Sequence, residues 1–131
     1  MPDIKVELID GAVLNLREIG EKAVIYFFPK AFSPVCTKEA CSFRDAAPRF
    51  EGVRVIGVSR DSASELVRFS DQYHLNHAFV SDADGELHRE FGALLFGKLP
   101  RRATFTIDAT GVIEKVYAND LSATGHAEQA L

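Results

Sequence analysis

A near-continuous apolar run, Ala23 to Phe28, that stops dead at Pro29 constrains this chain more than any other feature. A strand with one solvated face alternates apolar and polar residues, so a run without alternation belongs to a sheet covered on both faces. Proline closes the run because it has no backbone N–H to give to a ladder. After a short loop, Ser33-Pro34 opens a segment of helical composition reaching about Ala47, with Pro48 near its end. Ser33 suits the N-cap and Pro34 the first helical position. Cys36 then falls in the first helical turn, where unpaired N–H groups and the positive end of the helix dipole favour an anionic sulfur, the nucleophilic form of cysteine.

The remaining elements follow by pattern. A first edge strand is expected at Ile4 to Ile9, with a turn at Asp10-Gly11 and a short segment through Leu16. Val53 to Ser59 reads as a second core strand. Ser62-Ala63-Ser64-Glu65 has the spacing of a capping box, opening a helix to about Tyr73. His77 to Val80 reads as a strand and Asp84 to Gly92 as a helix. Ala103 to Ile107 and Val112 to Ala118 form a hairpin around Asp108-Ala109-Thr110-Gly111, and Ser122 to Leu131 a terminal helix. Strands and helices alternating without repeat, linker or low-complexity segment predict one α/β domain over 1–131, with a central mixed sheet flanked by helices.

Composition narrows the function. At 131 residues and 47% apolar content the chain can bury one core. A net charge of −4 without a basic stripe argues against nucleic acid. Met1-Pro2-Asp3 begins with neither a basic nor an apolar leader, and no apolar run approaches the ~20 residues of a membrane span. A cytoplasmic protein with no membrane partner is expected. Two cysteines, Cys36 and Cys41, do not make a secreted disulfide scaffold, so redox chemistry explains the pair better.

Pro29-x-x-x-Ser33-x-x-Cys36 resembles the Pro-x-x-x-Thr/Ser-x-x-Cys signature of the peroxiredoxins. Cys41, five positions on in Cys36-Thr-Lys-Glu-Ala-Cys41, is similar to the bacterioferritin-comigratory, or Q-type, subfamily with its second cysteine at that spacing. Arg102-Ala103-Thr104-Phe105-Thr106-Ile107-Asp108 is similar to the family's Arg-x-Thr/Ser-Phe-x-Ile-Asp segment. The likeness runs from about Val6 to Leu131. It departs in lacking the opening Gly-Asp-x-Ala-Pro-x-Phe, in carrying Val35 where Gly is frequent, and in a short terminal helix.

The resemblance implies a thioredoxin-like fold and a thiol-dependent peroxidase acting on hydrogen peroxide and organic hydroperoxides. It implies that Cys36 attacks the peroxide, that Pro29 shields the thiolate, that Ser33 offers its hydroxyl to the peroxide, and that Arg102 stabilises thiolate and transition state. Arg101 is its rival, but side chains alternate along a strand and the family pattern selects Arg102. Cys36 sulfenic acid would condense with Cys41. Five residues of ideal helix part their Cα atoms by roughly 8–9 Å and about 140°, beyond the ~7 Å reach of a disulfide. The helix must therefore open locally. No cofactor is implied; the reductant is thioredoxin or a similar dithiol protein, and the chain is a monomer or weak homodimer.

Competing readings stay open at this level. Ser33 as a plain cap, Pro29 as a plain strand end and Arg102 as a solvated charge are each ordinary. Glu39 is equally a partner of Arg102 or an exposed helix residue, and Thr37 has a plausible capping role. His74, His77, His88 and His126 read as solvated, since a catalytic metal site needs three protein ligands. Two other function classes remain: a thioredoxin-fold copper-binding module using both cysteines and a distal histidine, and a thiol redox sensor.

Overall fold

Burial on both faces is what the sequence demands of the central run, and the fold supplies it. The computed structural model describes residues 5–16, 20–46, 52–75, 77–92, 94–95, 99–100 and 102–118. In chain order the elements are β1 (Lys5–Glu7), β2 (Val13–Asn15), β3 (Lys22–Phe27), α1 (Pro34–Asp45), β4 (Val53–Ser59), α2 (Ala63–Gln72), β5 (Ala78–Ser81), α3 (Glu86–Glu90), β6 (Leu94–Leu95), β7 (Leu99–Pro100), β8 (Ala103–Ile107) and β9 (Ile113–Ala118). Five strands form one sheet in the order β5-β4-β3-β8-β9. β3, β4 and β5 run parallel, while β8 and β9 run antiparallel to their neighbours. The expected terminal helix, Pro48, Arg101 and His126 lie outside the described residues.

The centre of the sheet explains the missing alternation in β3. Ala23, Ile25 and Phe27 pack on one face with Val6, Leu8, Leu16 and Leu87 of α3. Val24, Tyr26 and Phe28 pack on the other with Ala40 and Phe43 of α1 and Leu66 and Phe69 of α2. Two parallel crossovers, β3-α1-β4 and β4-α2-β5, put both long helices on the same side, the arrangement that right-handed connections enforce.

Local chemistry sets the boundaries. Ser62 Oγ accepts from Glu65 N–H at 3.3 Å, so the cap expected for α2 forms. Asp108 Oδ1 accepts from Thr110 N–H and Val112 N–H at 2.9 and 3.0 Å, and Gly111 takes φ +91°, closing the β8-β9 turn. Several elements depart from expectation, most of them by a residue or two. β5 starts one residue later than predicted. α3 covers only 86–90 because Gly85 (φ +76°) and Gly92 (φ +67°) bracket it with left-handed backbone. The β6-β7 pair, which carried no alternating pattern, was not expected.

One close approach tests the packing. Tyr26, Gly57 and Phe79 share a row across β3, β4 and β5. A Cβ on Gly57 would meet Phe79 Cε1 at 2.7 Å and Tyr26 Cζ at 2.9 Å, and both rings are wholly buried. Gly57→Ala is expected to destabilise the protein by about 1–3 kcal/mol. A urea midpoint unchanged from wild type would contradict this packing.

Candidate active site

The buried face of α1 contains an electrostatic demand. Cys36, Glu39, Ala40 and Phe43 are buried at helical spacing, yet two of the four are polar or ionisable. The partner that satisfies both arrives from 66 residues further along, on the residue just before β8. Because Ala103 pairs with Phe27 at the end of β3, Arg102 is delivered beside the loop that leads into α1. Arg102 Nη2 donates to Cys36 Sγ at 3.1 Å and Nη1 to Glu39 Oε1 at 2.7 Å. Relative exposures are 1% for Cys36, 0% for Glu39 and 3% for Arg102, so water screens little of this attraction.

One cation facing two acid groups decides their charge states. Burial pushes the Glu39 carboxyl up to about 8, with Arg102 opposing that shift only in part. Burial also works against the Arg102 charge, but Glu39 and Cys36 outweigh it and hold the guanidinium protonated. The guanidinium is thus shared between the carboxyl and the sulfur. A planar fork with two donors set on two acceptors also fixes the orientation of both.

The loop that carries the site is built by Asp61 and a strained phenylalanine. Asp61 Oδ2 accepts from Ala31 N–H at 2.7 Å and from Ser59 Oγ at 2.9 Å, tying the loop to the end of β4. Phe32 adopts φ +67°, unfavourable for a side chain of its size, and is held by ring contacts with Phe69 and Tyr73 at 5.2 and 6.3 Å. Neither role has a sequence signal.

Ser33 sits at the N-cap with extended backbone, and its carbonyl accepts from Thr37 N–H at 2.9 Å. Its hydroxyl, however, donates to Lys30 C=O at 2.7 Å rather than capping α1, because the left-handed turn at Phe32 folds it back. The hydroxyl oxygen retains lone pairs for a ligand. With Pro34 at the first helical position, Val35 and Cys36 supply the unclaimed N–H groups of the first turn. Pro29 is exposed at the end of β3, at the start of this loop. Cys41 is a half-buried free thiol on the same helix as Cys36, which is also free.

Two histidine expectations are corrected. His88 is not solvated: it is fully buried, with Nδ1 2.6 Å from Asp82 Oδ2, which also accepts from His88 N–H at 2.9 Å. Burial works against the Asp82 charge, but these bonds hold its carboxyl below the usual range. His77 is half-buried rather than free in solvent, its Nε2 2.5 Å from Tyr26 Oη. His74 is exposed and closes the turn after α2 with φ +51°. Among the described residues no group of three His, Cys, Asp or Glu side chains is placed to hold a metal ion.

Residues 1–116 match the AhpC/TSA family. Chloroplastic peroxiredoxin Q of Gentiana triflora is 36% identical over 99% of this chain. This chain spans 62% of the length of that curated relative. Peroxidoxin BcpB of Mycobacterium tuberculosis superposes with a TM-score of 0.89 at 31% identity, covering 99% of this chain and 90% of that one. The bacterioferritin comigratory protein of Xanthomonas campestris, studied for alkyl peroxide reduction, superposes with a TM-score of 0.87 at 31% identity, covering 97% and 87%. The mixed sheet with flanking helices is the thioredoxin fold of these proteins.

The charge state of Glu39 has a measurable sign. Its folded value of about 8 lies above its ordinary 4.5, so its contribution to stability is complete below 4.5 and drains away as pH rises through 8. Relative to Glu39→Gln, the wild type is expected to lose about 4 kcal/mol between pH 5 and pH 9 in urea unfolding. Parallel pH profiles for the two proteins would contradict the assignment.

Proposed function

The chain belongs to the AhpC/TSA family, the peroxiredoxins, and from that premise we propose that it is a thiol-dependent peroxidase reducing hydrogen peroxide and organic hydroperoxides. The observation that carries the reading is the Arg102 guanidinium set on the Cys36 sulfur with Glu39 as its second anchor. Attack on an O–O bond needs an anionic sulfur and donors for the oxygens, above all the departing one. Arg102 and the first-turn N–H groups of α1 are those donors, in a site where burial strengthens them.

The cycle balances without a cofactor. Cys36 sulfur attacks the nearer peroxide oxygen, the O–O bond breaks, and the departing oxygen leaves as water or an alcohol after taking a proton. Cys36 is then a sulfenic acid. Cys41 thiol attacks that sulfur, an S–S bond forms, and the hydroxyl leaves with the thiol proton as water. A thioredoxin-like dithiol protein returns two electrons and two protons to restore both thiols. In folded α1 the two cysteines are five residues apart, so the cycle requires a folded form that binds peroxide and an unwound form that carries the disulfide.

Chemistry favours this over the other two function classes. A guanidinium on the Cys36 sulfur repels a second cation, which disfavours a copper seat there. A sensor needs its thiols oxidised but has no need of a donor set aimed at a leaving oxygen.

In a coupled assay with thioredoxin, thioredoxin reductase and NADPH, Cys36→Ser is expected to abolish peroxide-dependent NADPH consumption. Cys41→Ser should slow turnover while sparing the first reaction with peroxide, and Arg102→Gln should slow that first reaction by about 10²–10³-fold. Wild type inactive with both thioredoxin and dithiothreitol would overturn the proposal.

A further inference from the structure

Beneath α1 lies a polar pair that the thiol chemistry does not use. Tyr26 of β3 is wholly buried, its ring stacked 4.3 Å from Phe43 of α1 at an interplanar angle of 15°. Its hydroxyl lies 2.5 Å from His77 Nε2, and Phe43 also covers His77 at 6.2 Å. The Phe79 ring of β5 lies 4.7 Å from the His77 ring, tilted by 39°. Space for the Tyr26 and Phe79 rings exists only because position 57 is glycine. Part of His77 reaches the surface, but its Nδ1 is buried and without a hydrogen-bond partner.

The direction of the Tyr26–His77 bond follows from counting unmet groups. If the phenol donates, one ring N–H is left unsatisfied. If the imidazole donates, both the phenol proton and a ring lone pair are. The phenol therefore donates to a neutral imidazole. Burial first, then the charges of Glu39, Cys36 and Cys41, raise the Tyr26 hydroxyl well above its usual range and keep it a donor. Among the charged and titratable groups around His77, β3 contributes Tyr26, and α1 contributes Cys36, Glu39 and Cys41, which lie near the Tyr26 hydroxyl. Arg44 of α1 is engaged with Tyr73 C=O at 2.7 Å and with Asp45. β4 and β5 offer Gly57 and Phe79, and α2 offers Phe69 with Tyr73 just beyond it. Among the described residues no acid bonds to the ring.

Phe43, the lid of this pair, is two residues beyond Cys41. We propose that His77 is a positioning residue of the cysteine cycle: neutral, it accepts from Tyr26 and keeps the floor under folded α1, and when α1 unwinds to join Cys41 to Cys36 it is released to water and takes up a proton. The inference rests on the two-cysteine peroxidase reading and adds to it a histidine whose proton tracks the helix. Closure itself breaks the Cys36 S–O bond, forms the S–S bond and releases water; the proton taken by His77 comes separately from solvent.

Burial lowers His77 to about 3 in the folded form, against an ordinary 6.5. The penalty on the folded form is absent above 6.5 and grows as pH falls below it. Between pH 7.5 and pH 5.5 the open, disulfide form should gain about 10-fold over the folded one through this group.

The test is histidine NMR on the reduced protein and on the same protein after one equivalent of peroxide, with mass spectrometry of the oxidised sample. His77 is expected to stay neutral to pH 5 when reduced and to titrate near 6.5 once the disulfide has formed. The equilibrium constant for disulfide formation against dithiothreitol, taken as the ratio of wild type to His77→Phe, should rise about 10-fold from pH 7.5 to 5.5. A merely structural histidine would leave that ratio flat. A Cys36–Cys41 disulfide with His77 titrating identically in both states overturns the inference alone. Absence of that disulfide overturns the inference and the two-cysteine reading together. If His77→Phe does not fold, the wild-type titration decides by itself.

Discussion

A single guanidinium shared between a sulfur and a carboxyl organises this protein. Arg102 touches Cys36 with one arm and Glu39 with the other, and all three are out of water. Three ionisable groups in so small a volume are tolerable only if their charges balance. Burial raises the Glu39 carboxyl while Arg102 keeps its charge, and that one cation faces both the carboxyl and the Cys36 sulfur. The same guanidinium ties the first turns of α1 to the start of β8. In the proposed cycle α1 opens, and this interaction, centred on the Cys36 sulfur, is what holds it shut. Oxidation of that sulfur changes the group to which Arg102 Nη2 donates.

Topology makes the arrangement possible. β3 occupies the centre of the sheet, with parallel β4 on one side and antiparallel β8 on the other. Its C-terminal end delivers the loop to α1, and the antiparallel return of β8 begins beside that end. Residues distant in sequence meet there because strand register leaves no other place for them. Asp61 and the left-handed Phe32 then fix the loop, so the strain at Phe32 sits immediately before the site and is opposed by ring packing on α2.

Much of this was legible in the sequence where local chemistry dictates the outcome. The unalternating run of β3 announced a doubly covered strand, Ser33-Pro34 announced the helix start, and Asp108 with Gly111 announced the hairpin. The pairing of Cys36 with Arg102 was anticipated from the family motif rather than from spacing. What could not be read was the fate of polar side chains whose partners come from elsewhere. Glu39 has the same helical position whether exposed or buried; Arg102 decides it. His77 and His88 were expected in water because nothing within a few residues of His77 and no periodicity at His88 signals Tyr26 or Asp82 as partners. Ser33 looked like a cap, and a strained backbone one residue earlier redirected its hydroxyl.

The most direct test of the account is peptide mapping by mass spectrometry of the reduced protein after one equivalent of hydrogen peroxide. The account predicts a single product lighter than the reduced protein by two hydrogens, with Cys36 and Cys41 joined within one chain. Cys36 left as a thiol, or oxidised without ever joining Cys41, would contradict it.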